Sequence, residues 1–368
     1  MGCFFGIGVC LVRLKHIVVL LLLILFGYLL FWPVSVQPVA WVPPTAPAYA
    51  GLYAPNDALA RVEHLGVGIG EGPETVTPDA QGRMVVGYKD GRIERYAADG
   101  LSHETLNNTG GRPEGHAYDA QGNLVIADAV KGLLRLHPDG KIETLTNSAD
   151  GVPFGFTDDI SVAQDGAIYF SDGSSKFGPA LLAVDDVIEH GGHGRLLKYD
   201  PASGKTTVLL SGLQFANGVT VGPDDAYVLV NETGNYDVLR YWLKGDKAGT
   251  SEVFIANLPG LPDGICFNGR DIFWLAIYAS RDKLLDAVAG LPFLRKITMR
   301  LPQALMPKPE RHGFVLGLDL SGKVVRNLQD PRSDSFAPIT AVKEANGMLY
   351  FGSVIRSEFA RMPVPKPE

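Results

Sequence analysis

The chain is poor in cysteine. Only Cys3, Cys10 and Cys266 occur in its 368 residues, and two of them lie within the first ten. The remainder of the chain therefore has a single thiol, which excludes a disulfide framework and a zinc site built from thiolates. A Gly-x-Ser-x-Gly segment is also absent, so the sequence does not indicate the nucleophile elbow of a serine hydrolase.

Positive charge is scarce as well. The chain has 33 Lys and Arg residues against 40 Asp and Glu, a net charge of −7, and its basic residues form no cluster with interleaved aromatic residues. A nucleic-acid-binding surface needs an excess of basic side chains to neutralise phosphates. We therefore expect no nucleic-acid partner, and the sequence carries no signal for an oligomeric state.

The first residues contain one long apolar run. Residues 17–32 carry no charge, and as a helix they would span about 24 Å at ~1.5 Å per residue. Arg13 and Lys15 precede the run, and the next basic residue is Arg61. This bias predicts a single-pass type II membrane protein whose later residues lie on the non-cytoplasmic side.

These features divide the N-terminal part into three segments. We predict a cytoplasmic N-terminus at 1–16, a transmembrane signal anchor at 17–34, and an extended proline-rich stalk at 35–60. The alternative is a signal peptide cleaved after Ala-Tyr-Ala at 48–50.

The rest of the chain, 61–366, contains an internal repeat. Each copy has a polar residue, a short apolar strand, an Asp/Gly turn and a second apolar strand, and the chain has 43 Gly and 25 Pro to make such turns. Units of about 40–50 residues with four short strands are typical of propeller blades. Six copies predict an all-β, six-bladed β-propeller.

One position of the repeat is polar in five of the six copies. The residues at this position are Glu74, Glu114, Asp158, Asn217, Asp263 and Ile339, at intervals of 40, 44, 59, 46 and 76 residues. Innermost strands line the central channel of a propeller, so these residues should form a ring. Crowded carboxylates either become protonated or bind a cation, and oxygen ligands favour Ca²⁺ or another hard divalent cation. The alternative is that each polar residue only ends its strand.

Several segments resemble a known family. They are "GPET" at 72–75, "GRPEG" at 111–115, "VIADAVKGL" at 125–133, "GRLLKYDPASG" at 194–204, "GLQFANGV" at 212–219 and "LYFGSVIRS" at 349–357. Residues 72–364 are similar to the strictosidine synthase-like propellers, a group related to gluconolactonases, senescence-marker proteins and paraoxonases.

The resemblance implies a divalent metal in the channel, on Glu74, Asn217 and Asp263. Asp158 stands where relatives commonly have Asn, and it adds a charge; we predict that these four residues bind the metal. Thr340 occupies the place of the catalytic Glu of the alkaloid-forming synthases, which argues against their condensation reaction.

Two functions follow from this site. The first is a metal-dependent hydrolase of small lactones or aryl esters, with Asp263 as ligand and base. The second is a non-catalytic membrane-anchored propeller that binds a ligand or protein partner. His116 lies two residues after Glu114 and is a second catalytic candidate, although a packed histidine is equally consistent with its position. We expect His190 to lie on a solvated glycine-rich loop.

Residues 279–313 interrupt the repeat before its last copy. Leu284, Leu285 and Val288 recur at helical spacing, and Pro292 separates them from a second helical stretch. The segment has seven Lys and Arg residues against three Asp and Glu. It is predicted to be a short helical insertion, either a lid packed on the propeller or a surface that contacts an anionic membrane.

Overall fold

The computed structural model describes residues 3–302, 305–306 and 310–366, with backbone alone for residues 3–14 and 181–182. Within these residues, six four-stranded antiparallel sheets follow one another along the chain. Each sheet is one blade, which confirms the six-bladed β-propeller.

The strands are short, as expected for blades. Strand β1 covers Glu63–Leu65, and the first blade contains β2 (Val76–Pro78), β3 (Met84–Gly87), β4 (Arg92–Tyr96) and β5 (His103–Asn108). The second blade contains β6 (Pro113–Tyr118), β7 (Leu124–Asp128), β8 (Gly132–Leu136) and β9 (Ile142–Thr146). A hairpin of β10 (Ser148–Ala149) and β11 (Val152–Pro153) leads to the third blade, with β12 (Thr157–Val162), β13 (Ile168–Asp172), β15 (Gly194–Asp200) and β16 (Lys205–Leu213).

The remaining blades follow the same plan. Strand β14 (Ala180–Ala183) and helix α2 (Val184–Glu189) lie between β13 and β15. The fourth blade contains β17 (Ala216–Val221), β18 (Tyr227–Glu232), β19 (Asp237–Trp242) and β20 (Ser251–Ile255). The fifth contains β21 (Gly260–Phe267), β22 (Phe273–Ser280), β23 (Gly313–Leu318) and β24 (Val324–Asp330). The sixth contains β25 (Ala341–Ala345), β26 (Met348–Gly352) and β27 (Phe359–Pro363).

The N-terminal strand completes the last blade. Strand β1 pairs antiparallel with β27, with Leu65 opposite Phe359. Both side chains are buried in a cluster that also contains first-blade residues such as Val76 and Tyr96. The two ends of the propeller are therefore held together in one sheet, which closes the ring.

Helix α1 (Cys3–Phe31) precedes the propeller. Among the described residues, no helix combines the length and the apolar character required to cross a bilayer. The predicted transmembrane segment at 17–34 is therefore not supported by the structure.

The predicted stalk lies on the propeller. We call residues 33–50 the strap. Val36 is fully buried against Phe177 and Ile188, and the backbone N–H of Val39 donates to the carbonyl of Glu189 at 2.8 Å. The strap is thus packed on blade-connecting segments and is not a free spacer.

The insertion forms helices, as predicted. Helix α3 covers Lys283–Ala287. Asp282 is its N-cap, and the carboxylate of Asp282 accepts from the backbone N–H groups of Leu284 and Leu285. Helix α4 covers Pro292–Thr298, with proline at its start.

Candidate functional site: an acidic channel beneath an apolar cavity

A cavity of about 250 Å³ lies at one end of the central channel. Four predicted ligands line it together: Glu74, Asp158, Asn217 and Asp263. The other lining residues are mostly apolar and include Phe156, Phe215, Leu261, Leu285 and Met299. The structure therefore places an all-oxygen polar cluster next to a largely apolar cavity, a combination common in small-molecule sites.

A repeated backbone irregularity positions three of these residues. In β12, β17 and β21 the innermost strand has one extra residue relative to its partner, a β-bulge, at the site position. The bulges contain Asp158, Asn217 and Asp263, and β6 has the same irregularity at Glu114. Because bulges re-aim side chains, this local feature turns the polar groups toward the channel.

Glycines allow neighbouring blades to approach at this level. Gly218 follows Asn217, and a Cβ added to it would collide with the carbonyl oxygen of Asp263 in the next blade. Gly264 follows Asp263, and its N–H donates to the carbonyl of Thr340 at 2.7 Å. Larger residues at these positions would separate the inner strands.

Burial and mutual repulsion perturb the acidic groups. Burial raises the pKa of Glu74 to about 7; Arg112 opposes this shift, and Asp159 adds to it. Burial also raises the pKa of Asp158 well above its ordinary value, and the carboxylates of Glu74 and Asp263 raise it further.

Asp263 behaves in the same way. Burial and then Glu74 raise its pKa, while a hydrogen bond from Asn217 lowers it. The carboxylates of Glu74 and Asp263 thus act on Asp158, and that of Glu74 acts on Asp263. Such a group of carboxylates is stabilised either by protons or by a cation.

The donor chemistry fits a hard divalent cation. The Oε2 atom of Glu74 is buried and has no hydrogen-bond partner among the described residues, and the nearby donors are carboxylate and amide oxygens. In the described part of the chain, however, no three Asp, Glu, His or Cys side chains are close enough to hold a metal ion as they stand. Residues that would hold the ion are Glu74, Asp158, Asn217 and Asp263.

Two ring positions differ from the expectation. Ile339 is fully buried in an apolar cluster between the last two blades, and Thr340 lines the cavity in its place. The shift arises because β25 begins only at Ala341, so the residues before it are set by packing rather than by strand alternation. Glu114 is also buried but is paired with Arg112, and it is not among the cavity-lining residues.

His116 lies away from the cavity. Its Nδ1 is 2.8 Å from the hydroxyl of Thr77, and its carbonyl accepts from the ammonium of Lys343 at 2.7 Å. Burial and Lys343 lower the pKa of His116 to about 3, so the ring is neutral. The structure thus places His116 inside the polar network of the channel wall rather than beside Asp263.

Residues remote in sequence complete the cavity. Trp41 of the strap, Tyr278 of β22, and Leu285 and Met299 of the insertion all line it. Burial raises the pKa of Tyr278 to about 12, and the carboxylates of Asp263 and Glu74 add to the shift, so its hydroxyl remains protonated at neutral pH. The repeat could not reveal Trp41, Leu285 and Met299, because they lie outside the repeated phrase. Tyr278 lies within the fifth copy, in β22, but not at its polar position.

Three arginines of the insertion face inward. Arg281 donates to the carbonyl of Pro44 at 2.8 Å, Arg295 to that of Val39 at 2.9 Å, and Arg300 to that of Trp32 at 2.6 Å. All three arginines are buried. Arg281 and Arg295 bind the strap backbone and Arg300 binds the backbone at the end of helix α1, which weakens the electrostatic argument for contact with an anionic membrane.

Sequence comparisons identify the family. A model of strictosidine synthase matches residues 158–246, and a model of the N-terminal region of strictosidine synthase-like proteins matches residues 51–96. Strictosidine synthase-like protein 6 of Arabidopsis thaliana is 36% identical over 315 residues, which cover 84% of this chain and 83% of that protein. The adipocyte plasma membrane-associated protein of Bos taurus is 31% identical over 346 residues, covering 87% of this chain and 82% of that protein.

Solved structures share the architecture. A gluconolactonase of Xanthomonas campestris superimposes with a TM-score of 0.60 at 19% identity, covering 90% of this chain and 98% of that chain. Regucalcin of Agrobacterium tumefaciens, a calcium-binding protein, has a TM-score of 0.54 at 16% identity, covering 78% of this chain and 82% of that chain. At such identities the likeness concerns the fold alone. The identity and coverage of the sequence relatives show that the chain belongs to the strictosidine synthase-like family.

Proposed function

We propose that this protein is a metal-dependent hydrolase of small lactones or aryl esters, with Ca²⁺ as the metal. The observation that supports this proposal most directly is the cluster of Glu74, Asp158, Asn217 and Asp263 on the wall of an apolar cavity. The names of two proteins of similar fold, a gluconolactonase and a calcium-binding regucalcin, are consistent with this chemistry.

The four residues would hold the cation through their side-chain oxygens. When bound, the ion supplies a Lewis acid that polarises the substrate carbonyl and stabilises the charge developing on its oxygen. Tyr278 presents a protonated hydroxyl to the same cavity, so it would donate a hydrogen bond to the substrate.

Asp263 is the proposed base. In its ionised form it would take a proton from a water molecule while the water oxygen bonds to the carbonyl carbon. The bond to the alcohol oxygen then breaks, and the proton passes from Asp263 to the departing oxygen. His116 does not line the cavity, so we propose that it supports the channel wall and takes no part in proton transfer.

The apolar walls determine how the substrate is held. Phe156, Phe215 and Leu261 would contact its hydrocarbon part and exclude water from the reacting carbonyl, which strengthens electrostatic interactions there.

A non-catalytic function is the second candidate. One observation favours it: no described group of three acidic, histidine or cysteine side chains is arranged to chelate a metal as it stands. In that case the propeller would bind a ligand or protein partner at a membrane. A membrane location is also suggested by the name of the adipocyte plasma membrane-associated relative, while the type II orientation stays a prediction from the sequence.

The experiment is an assay of phenyl acetate and γ-lactone hydrolysis with added Ca²⁺ and with EDTA. We expect turnover that EDTA abolishes and that Asp263→Asn reduces at least about a hundredfold, the usual size of a general-base contribution. Asp246→Asn, at an exposed turn residue, is the matched control. Equal turnover in the parent and in a metal-loaded Asp263→Asn variant would remove Asp263 from the mechanism, and no turnover by the parent would favour the second candidate.

A further inference from the structure

The strap is unusual because one of its side chains reaches the candidate site. Trp41 is half-buried and lines the cavity, although it lies 117 residues before Asp158 in the sequence. Its indole stacks on the imidazole of His190, with ring centroids 4.0 Å apart and planes inclined by 11°. Tyr236 lies on another side, with ring centroids 6.0 Å apart.

The imidazole of His190 is part of the propeller rather than of a solvated loop, contrary to the sequence expectation. His190 is buried and has a left-handed backbone conformation at the end of helix α2. Burial and then Arg295 lower its pKa to about 4, so a neutral ring faces the indole. Stacking of this kind fixes the orientation of an aromatic side chain.

Hydrogen bonds fix the strap backbone on both sides of Trp41. The carbonyl of Val39 accepts from Arg295 at 2.9 Å, and the carbonyl of Pro44 accepts from Arg281 at 2.8 Å. The N–H of Trp41 itself donates to the carbonyl of Ala289 at 3.3 Å. The guanidinium of Arg281 also lies 3.9 Å from the ring centroid of Tyr236, so this arginine contacts both the strap and an aromatic residue that lines the cavity.

We propose that Trp41 is a specificity-determining residue that forms the roof of the cavity, and that the strap is part of the substrate site. This rests on the proposed hydrolase function. The indole limits the space above the acidic cluster, so it sets the size of the acyl or ring portion that is accepted. A protein that lacks the strap would have an open channel and would discriminate little between substrates of different size.

The first test compares hydrolysis of phenyl acetate and phenyl decanoate by the full chain carrying Trp41→Ala. We expect KM for phenyl acetate to rise about tenfold, equivalent to ~1.4 kcal/mol of lost contact, with kcat within about twofold of the parent. The preference should shift toward phenyl decanoate. Trp41→Phe should restore most of the parental values, and His190→Ala should change KM in the same direction by a smaller factor.

The matched control is Val42→Ala. Val42 is the strap residue that follows Trp41. It does not line the cavity and is 89% exposed, so this variant should behave as the parent. Unchanged KM and unchanged acyl preference in Trp41→Ala, with an unchanged melting temperature, would overturn the proposal.

A second measurement does not require catalysis. The neutral fluorescent dye prodan is titrated into the full-length parent, Asp263→Asn, Trp41→Ala and Val42→Ala. We expect about tenfold weaker binding by Trp41→Ala alone. If the parent hydrolyses neither ester, the proposed hydrolase function fails and this titration decides the inference. Equal affinities in all four proteins, or no saturable binding by the parent, would overturn it.

Discussion

The guanidinium of Arg195 donates to the carboxylate of Asp172 at 2.6 Å, and both side chains are buried. The other oxygen of Asp172 accepts from the backbone N–H groups of Gly155 and Phe156 at 3.1 and 2.9 Å. Asp172 thus connects β13 and β15 to the segment that enters β12, two residues before Asp158. Asp128 and Glu232 hold the corresponding segments of their blades in the same way.

We predict that Asp172→Ala lowers the free energy of unfolding by about 3–5 kcal/mol, because it leaves the buried Arg195 without its carboxylate partner and the N–H groups of Gly155 and Phe156 without their acceptor. Chemical denaturation measures the change. Asp246→Ala, at an exposed position, should change stability by less than about 0.5 kcal/mol. Similar stabilities for the two variants would show that the buried pair contributes nothing.

Chelation should destabilise the propeller. If Ca²⁺ binds the acidic cluster only in the folded state, saturation at about 100 times Kd adds about 2.7 kcal/mol of stability. We therefore expect EDTA to lower the melting temperature and added Ca²⁺ to restore it. The response should be reduced in Asp158→Asn, since one anionic ligand is lost, and unchanged in Asp246→Asn. A melting temperature indifferent to both reagents would contradict metal binding.

The hairpin between β18 and β19 should make stability depend on pH. Asp237 lies opposite Glu232, and burial, with Glu232 adding to the effect, raises the pKa of Asp237 to about 7. An unfolded aspartate titrates near ~3.9, so between these values the folded state holds the proton more tightly. This contribution to stability is complete below about pH 4 and is lost as the pH rises to about 7.

Asp237→Asn should remove that dependence. We expect the parent to lose about 3 kcal/mol relative to the variant between pH 4.5 and pH 8, when stability is compared by urea denaturation. The variant serves as the reference for the acidic groups that do not interact with Asp237. A constant difference across this range would contradict the raised pKa.

The insertion exposes apolar side chains to solvent. Leu284, Phe293 and Leu294 are 59%, 51% and 40% exposed, and Leu305 is 66% exposed. Because Arg281 and Arg295 are buried against the strap and Arg300 against the end of helix α1, we predict that any vesicle binding by this surface depends on these apolar groups and changes little with anionic lipid content.

The measurement is cosedimentation of a chain that starts at Tyr28, which retains the strap, with phosphatidylcholine vesicles with or without phosphatidylserine. The combined substitutions Leu284→Asp, Phe293→Asp and Leu294→Asp should reduce binding to both kinds of vesicle. Leu285 is left unchanged because it lines the cavity. Negligible binding by the parent would leave the insertion with the role of a lid alone.

The repeat by itself predicted the blades and most of the candidate site. A blade is a local structure whose turns, strand lengths and polar position recur along the sequence, so alignment of the copies indicated the fold and brought Glu74, Asp158, Asn217 and Asp263 to one level. The same alignment placed Ile339 in the ring, because it assumed an equal register in the last copy.

Tertiary packing decided the rest. Ile339 packs between the last two blades, while the hydroxyl of Thr340 donates to the carbonyl of Glu74 in the first blade. The position of His116 depends on Thr77 and Lys343 in two other blades. The strap was predicted to be a stalk because proline-rich segments are extended when isolated. Its contacts with the insertion join residues as far apart in sequence as Pro44 and Arg281. Such contacts pair backbone carbonyls with side chains that no local sequence pattern brings near.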